Sequence, residues 1–237
     1  NVACETERYG FFYEMTRRDG FNTVLPLRQP DGGVKATDVR TVPFFRFEDN
    51  EAHSTRLYGF KFGDPGMGIR GDKQHPFILR NNRAWQTRYG FRPNMEFVLV
   101  DGLKVWSNAY GIYGPSLDMQ VFRNLHLKDL SATIIGSRNP TYAAGVSPLP
   151  TTTFENVTLE NCRGHMGFGA TKFEVHFRNL EVKNCARYGI IREKVSDPER
   201  FPYAGSYYFH DYPLKGSVAQ VAHTTFADKA QLEFKPN

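Results

Sequence analysis

A nine-residue pattern of alternating apolar and polar positions occurs twice in this chain. Its form is F-x-N-h-x-h-x-N-C, where h is an aliphatic residue, and it occupies residues 154–162 and 177–185. A degenerate copy covers residues 122–129, and a fainter one begins at Val100. Alternation with a period of two is typical of a half-buried strand, so each copy predicts a strand rather than a helix.

The spacing of these copies predicts how the strands assemble. Their equivalent positions are Val100, Phe122, Phe154 and Phe177. A repeat of this length cannot bury its apolar face alone, so it must stack on its neighbours. We therefore predict an all-β fold, a right-handed parallel β-helix (a solenoid), with coils that each rise about 4.8 Å. The inward-facing positions are predicted to be Leu125, Leu127, Val157, Leu159, Leu180 and Val182.

The chain is long enough for one solenoid domain, which we place over residues 1–237. Less regular N-terminal coils are expected over 1–95, regular coils over 96–195, and a C-terminal coil or cap over 196–237. Nothing before the first coil has the character of a cap. We therefore expect the solenoid to be completed by additional polypeptide upstream of Asn1 or by partner chains.

Composition and charge narrow the possible partners. The formal net charge is +5, which favours an anionic partner, although charge spread over this length also serves solubility alone. The Lys and Arg residues are scattered and no nucleic-acid-binding motif is present, so an acidic polysaccharide is favoured over nucleic acid. No run of about 18 apolar residues occurs, so no transmembrane segment is predicted.

Two cysteines and their polar neighbours occupy equivalent positions of the repeat. Cys162 and Cys185 are expected about 4.8 Å apart, which permits a disulfide but equally a reduced, stacked pair. Asn161, Asn184 and Asp129 share the column just before this one, at the end of a strand, and we predict that they form a ladder that satisfies buried backbone groups. No metal site and no cofactor are expected, because no His or Cys pair has ligand spacing.

A stripe of ring side chains is the candidate functional feature. His53, His165 and Tyr188 each lie three residues past a column that we align as Asn50, Cys162 and Cys185, and Tyr110 lies close to the same place. Such a stripe could stack on sugar rings and transfer protons. The alternative is that these rings are half-buried packing residues beside glycines.

The segment 47–54, Phe-Glu-Asp-Asn-Glu-Ala-His-Ser, resembles the F-x-x-N-x-A-H-S stretch of the hyaluronidases related to the cell-migration-inducing hyaluronan-binding protein. Residues 10–13 and 105–112 resemble two further segments of that family, in the same order. Its members carry a domain with eight conserved glycines followed by a parallel β-helix. The resemblance implies a secreted or cell-surface protein that acts on an acidic polysaccharide. The family's acidic catalytic residues match no position here, so we expect them upstream of Asn1.

Two functions remain open from the sequence. In an enzyme that cleaves an acidic polysaccharide, as a hydrolase or, less favoured, as a lyase, His53, His165 and Asp101 would act as acid or base. Arg163 would then hold a uronate carboxylate, and Tyr110 and Tyr188 would contact the sugar. The alternative is a non-catalytic structural or interaction module of a larger surface protein or assembly. No clear pair of carboxylates is visible in the sequence, which leaves the choice open.

Overall fold

The protein is built from short strands. The computed structural model describes residues 1–13, 22–39, 42, 46–63, 74–95, 97–113, 119–135, 151–163, 166–168, 174–185, 190–192, 206–210, 224–226 and 231–234. In chain order the strands are β1 (Val2–Cys4), β2 (Tyr9–Tyr13), β3 (Val24–Arg28), β4 (Val34–Asp38), β5 (Glu51–His53), β6 (Tyr58–Phe62), β7 (Phe77–Arg80), β8 (Arg83–Trp85), β9 (Tyr89–Pro93), β10 (Val98–Asp101), β11 (Lys104–Trp106), β12 (Tyr110–Tyr113), β13 (Gln120–Lys128), β14 (Ala132–Ile135), β15 (Thr151–Glu160), β16 (Met166–Phe168), β17 (Glu174–Lys183), β18 (Ile190–Arg192), β19 (Ser206–His210), β20 (Thr224–Phe226) and β21 (Gln231–Phe234). The described residues contain no α-helix, so the predicted all-β class is confirmed.

Two sheets carry most of these strands. Sheet 1 has the order β1-β5-β8-β11-β13-β15-β17-β19-β21-β20, with β7 and β10 paired alongside and β10 joined to β13. Sheet 2 has the order β2-β6-β9-β12-β14-β16-β18. From β5 to β18 the chain passes back and forth between the sheets, with β7–β8 and β10–β11 as consecutive strands of sheet 1. Each new strand pairs in parallel with its equivalent from the previous repeat. Only β19–β21, β20–β21 and the separate hairpin β3–β4 pair antiparallel among the described strands.

The register predicted from the repeated pattern is confirmed. Val100 lies opposite Phe122, Phe122 opposite Phe154, and Phe154 opposite Phe177. The register extends to Phe209, which lies opposite Phe177. Hydrogen-bonded side chains one repeat apart are separated by 21, 22, 23 or 32 residues, so the longer repeats insert residues without disturbing the pairing.

The core is a stack of like side chains. The rings of Phe122 and Phe154 are parallel with centroids 4.9 Å apart, and those of Phe154 and Phe177 are 5.1 Å apart. The predicted inward positions are also confirmed: five are buried, and Val182 is partly buried against the core. Stacked rings at these distances stabilise one another beyond the burial of their apolar area.

Each repeat has two bends, and both use residues with positive φ. The left-handed residues of the first bend include Asn81, Gly102, Asn124, Asn156 and Asn179. The second bend follows the strands that end at His53, Trp85 and Trp106. Its left-handed residues are Glu5, Ser54, Gln86, Ser107, Asp129, Asn161 and Asn184, with φ between 50° and 54°. Asn and Asp tolerate this conformation better than most residues. Asn161, Asn184 and Asp129 are all exposed, so the prediction that they satisfy buried backbone groups is wrong. What they share is the left-handed backbone conformation.

The amide ladder exists at the first bend instead. Asn179 donates from Nδ2 to Oδ1 of Asn156 at 3.0 Å, and Asn156 donates in the same way to Asn124 at 3.0 Å. Asn124 then donates to Oδ1 of Asp101 at 2.7 Å. These asparagines also have positive φ, so one residue type serves both the bend and the contact between repeats.

A column of glycines allows the repeats to approach each other at the start of sheet 2. A Cβ on Gly59 would lie 2.8 Å from the carbonyl oxygen of Gly90, and one on Gly90 would lie 2.8 Å from that of Gly111. Both distances are shorter than a Cβ can accept without movement of the backbone. Glycine is therefore required by close approach rather than by φ at these positions.

The hairpin β3–β4 stands apart from both sheets. Val24 and Leu25 are each 42% exposed and Val34 is 67% exposed. Its basic residues Arg28 and Lys35 are also exposed, which makes the hairpin a useful place for control substitutions.

Gly90→Ala tests the close approach in the glycine column. The added Cβ would meet Cγ1 of Val105 at 2.5 Å as well as the Gly111 carbonyl oxygen. We expect a loss of about 1–3 kcal/mol in the free energy of unfolding, the range for overpacking a core. Urea unfolding of this variant beside Gly33→Ala, whose Cβ would meet only the movable Asp31 side chain, checks it. Equal stability of the two variants would contradict the steric argument.

Asn161→Ala and Asn161→Gly separate backbone conformation from side-chain bonding. Alanine in the left-handed region costs about 1–2 kcal/mol, whereas glycine enters it freely. We therefore expect Asn161→Ala to lower the melting temperature and Asn161→Gly to lie close to the wild type. If both variants lose stability equally, the amide group itself must stabilise the bend.

Candidate functional site

An outward-facing column of rings runs along the end of the sheet 1 strands. His53 lies opposite Trp85, and Trp85 lies opposite Trp106. The imidazole stacks on the first indole at a centroid distance of 4.5 Å, and the two indoles stack at 4.7 Å, with interplanar angles of 8° and 12°. The same column continues into charged side chains, Lys128, Glu160 and Lys183.

A second ring column begins the sheet 2 strands. Tyr58, Tyr89 and Tyr110 stack with centroids 4.9 Å apart at each step, and Tyr9 extends the stack at 5.8 Å. Each tyrosine is followed by a glycine of the close-approach column. Between Trp106 and Tyr110 the chain has only the second bend, residues 107–109, so both ring columns flank that bend.

A surface groove of about 740 Å³ lies over the second bend, where the ring columns end. Its lining residues come from three successive repeats and the edge of a fourth. They are Ser107, Asn108, Ala109, Asp129, Leu130, Ser131, Asn161, Cys162, Arg163 and Asn184. The groove opens because the next residues of the columns are smaller or flexible: Tyr110 is followed by Ala132 and Trp106 by Lys128.

The groove combines one cation with one carboxylate. Arg163 is exposed, and its backbone N–H donates to the Leu130 carbonyl oxygen at 2.9 Å, which ties the residue to the previous repeat. Asp129 is the only carboxylate among the described residues that line the groove. An exposed guanidinium in a polar groove is suited to bind a carboxylate or a sulfate through two parallel hydrogen bonds.

A charged cluster forms one rim of the groove. Lys128 Nζ lies 2.7 Å from Glu160 Oε1, and His126 Nε2 lies 2.9 Å from Glu160 Oε2. Hydrogen bonds from Lys128 and then His126 lower the pKa of Glu160, and the contact with Glu160 raises the pKa of Lys128. Glu160 is therefore held ionised at neutral pH and is unsuited to donate a proton.

Cys162 forms part of the groove floor, and its thiol is unreactive as a nucleophile at neutral pH. Its backbone N–H points at Sγ of Cys185, 3.3 Å away, so the predicted stacking of the two residues is confirmed. All three cysteines are free. Burial raises the pKa of the Cys162 thiol to about 12. The group stays protonated at neutral pH, whereas a nucleophile would need the thiolate.

Asp101 lies at the other bend, away from the groove. Arg123 contacts Oδ2 of Asp101 with Nε at 2.9 Å and Nη2 at 2.8 Å. Partial burial works against ionisation of Asp101, but hydrogen bonds from Arg123 and Asn124 outweigh it, so its pKa is lowered. The structure does not bring Asp101 and His53 together, because they belong to different repeats and to different bends.

The alignment that produced the predicted stripe is wrong at His53. Asn50 donates from Nδ2 to Asn82 Oδ1 at 3.1 Å, and the strand register continues this column to Val157, five residues before Cys162. His53 consequently shares its column with Glu160. Its Nδ1 lies 3.2 Å from Ser54 Oγ, which donates to Gln86 Oε1 at 3.3 Å. His165 and Tyr188 lie outside the described residues.

The stacking of the rings limits what they can bind. Each inner ring of a column turns both faces to its neighbours in the column, so only its edge faces solvent. Ring edges are electropositive and indole edges carry an N–H donor. These columns therefore offer hydrogen bonds and positive edges to a ligand, and a flat sugar platform only at their ends.

Sequence reasoning missed Trp85 and Tyr89, although a signal for them is present. The tripeptide Tyr-Gly-Phe occurs at residues 9–11, 58–60 and 89–91, and Tyr-Gly-Ile at 110–112 and 188–190. This short repeat marks the start of four sheet 2 strands, β2, β6, β9 and β12. Counting back from it would have aligned His53, Trp85 and Trp106 correctly, allowing for one extra residue after His53.

Within the described part of the chain, no three His, Cys, Asp or Glu side chains are grouped as metal ligands. No helix there is long and apolar enough to span a membrane.

Arg123→Gln tests whether the ion pair with Arg123 lowers the pKa of Asp101. A depressed pKa stabilises the folded protein above the carboxyl's ordinary pKa of about 3.9, and this contribution is lost as pH falls through the folded value. We expect the variant to be less stable than wild type by about 1 kcal/mol at pH 7, with the gap closing in acid. Urea unfolding at several pH values checks it. Arg178→Gln is the control, because Arg178 Nε lies farther from its carboxylate, 3.9 Å from Glu155, and its loss should lower the stability less. A stability difference between Arg123→Gln and wild type that does not depend on pH would contradict the ion pair.

Comparisons with known proteins leave the geometry of this site as the basis for a functional argument. No protein-family model, curated protein or solved structure matches the chain.

Proposed function

We propose that this chain is a right-handed parallel β-helix domain, secreted or at the cell surface, that binds an acidic polysaccharide along its second bend. The observation that carries the proposal is the groove of about 740 Å³ with exposed Arg163 between the ends of two ring columns. A groove that crosses stacked repeats suits an extended polymer better than a compact ligand. The resemblance of residues 47–54 to the hyaluronidases supports a glycan as that polymer.

Binding without cleavage is the form of the function that the described residues support. Hydrolysis of a glycosidic bond commonly needs two carboxyl groups that flank it, one of them protonated. Asp101 and Glu160 are both ion-paired with lowered pKa values. Asp129 is the single carboxylate among the described lining residues. We therefore expect the chain by itself to bind its polymer and leave it intact.

Arg163→Ala tests the groove as the binding site. We expect hyaluronan or chondroitin oligosaccharides to bind the wild type with a micromolar to millimolar Kd, about 4–8 kcal/mol. Removal of a charge-assisted contact should weaken binding about tenfold, and added salt should weaken wild-type binding by screening. Arg28→Ala on the hairpin removes the same charge elsewhere and should bind as wild type does. Calorimetric titration measures all three proteins.

The same proteins and oligosaccharides distinguish the proposed function from the alternative functions. No binding by the wild type would favour a non-catalytic structural or interaction module. Robust shortening of the polymer, measured by gel filtration after incubation, would instead show an enzyme and would direct attention to Asp129 and His53. An equal loss of affinity in the Arg28→Ala control would indicate an unspecific effect of charge and would count against the groove as the binding site.

A further inference from the structure

Exposed cationic residues lie on both sides of the indole column in the chain, before it on the strands and after it across the second bend. Arg83 and Lys104 lie directly opposite each other on neighbouring strands, next to Trp85 and Trp106. Arg88 follows Trp85 across the second bend and its Cζ lies 5.5 Å from the Tyr89 ring centroid. We call Arg83, Arg88 and Lys104 the basic patch. All three are exposed. Strand pairing places Arg83 opposite Lys104, although the two are distant in sequence.

The basic patch is poorly neutralised by the protein itself. Arg83 Nε lies 3.6 Å from Glu51, a contact between a half-exposed side chain and a carboxylate at the margin of the patch. Arg88 and Lys104 form no ion pair with any residue in the described ranges. Like charges directly opposite on neighbouring strands destabilise a sheet. An anionic ligand with closely spaced charges would relieve that repulsion.

We propose that the basic patch binds sulfate groups, so that the acidic polymer of the proposed function is a sulfated glycan. The inference rests on that function and specifies its ligand. Opposite positions on paired strands are about 4.8 Å apart, so Arg83 and Lys104 suit anions on adjacent parts of a polymer. A glycan with one carboxylate on every second sugar spaces its charges more widely. Sulfate esters on the intervening sugars bring the charges closer, and planar guanidinium groups bind such oxygens in pairs.

The ring geometry favours a sulfated glycan over single-stranded nucleic acid. Proteins that bind single strands stack bases on aromatic faces. Trp85 has both faces occupied, one by His53 at 4.5 Å and the other by Trp106 at 4.7 Å. The patch therefore offers positive charge and ring edges without a free stacking platform at its centre.

The double variant Arg83→Gln/Lys104→Gln tests the proposal. Titrations use unsulfated chondroitin and chondroitin sulfate oligosaccharides of equal length, with an oligothymidylate as a third polyanion. We expect the wild type to bind the sulfated glycan at least tenfold more tightly than the unsulfated one. The double variant should lose that preference and keep the unsulfated affinity. Arg28→Gln/Lys35→Gln on the hairpin removes two exposed charges elsewhere and should keep the preference. Thermal unfolding establishes that both variants are folded.

The outcomes separate this proposal from the one on which it rests. Equal affinity of the wild type for both glycans, or a preference that survives in the double variant, overturns the sulfate site and leaves glycan binding at the groove standing. Binding of oligothymidylate as tight as that of the sulfated glycan, and lost with the patch, overturns it in favour of a nucleic-acid site. Absence of binding to either glycan defeats the proposed function and this inference together.

Discussion

In-register parallel pairing is the constraint on which the rest of this structure depends. It places equivalent positions of successive repeats about 4.8 Å apart. Each side chain therefore has its equivalent in the next repeat as a close neighbour. Phenylalanine stacks on phenylalanine in the core, asparagine bonds asparagine at the first bend, and glycine faces glycine where the backbones approach. A residue is tolerated here if it is compatible with a copy of itself.

The same constraint shapes the surface that we propose as functional. Aromatic rings that are neighbours in successive repeats stack face to face, so only their edges are left exposed to solvent. The groove opens where this stacking stops, at the steps from Tyr110 to Ala132 and from Trp106 to Lys128. The site is thus a change in the composition of two columns rather than an insertion into the fold. Its polarity follows from the residues that replace the rings.

Charged side chains at equivalent positions are close neighbours as well, and in one column of sheet 1 they alternate in sign from repeat to repeat. Along one column of sheet 1 the residues are Glu48, Arg80, Asp101, Arg123, Glu155 and Arg178. Adjacent members attract, and Arg123 binds Asp101 closely. Arg83 and Lys104 break this rule by placing two cations side by side. That exception is the physical reason to regard the basic patch as a binding surface rather than a solvated face.

The sequence by itself determined four strands of sheet 1, β10, β13, β15 and β17, with their inward faces and their register from Val100 to Phe177, because period-two alternation and a repeated motif are local signals. It also placed Cys162 beside Cys185. Only the tertiary structure decided which outward side chains share a column. Repeats whose lengths run from 21 to 32 residues cannot be aligned by counting, since backbone hydrogen bonds set the register and loops absorb the difference. Asn50 was misaligned for that reason, and the grouping of Arg83, Lys104 and Trp85 beside the groove emerged only from the paired strands.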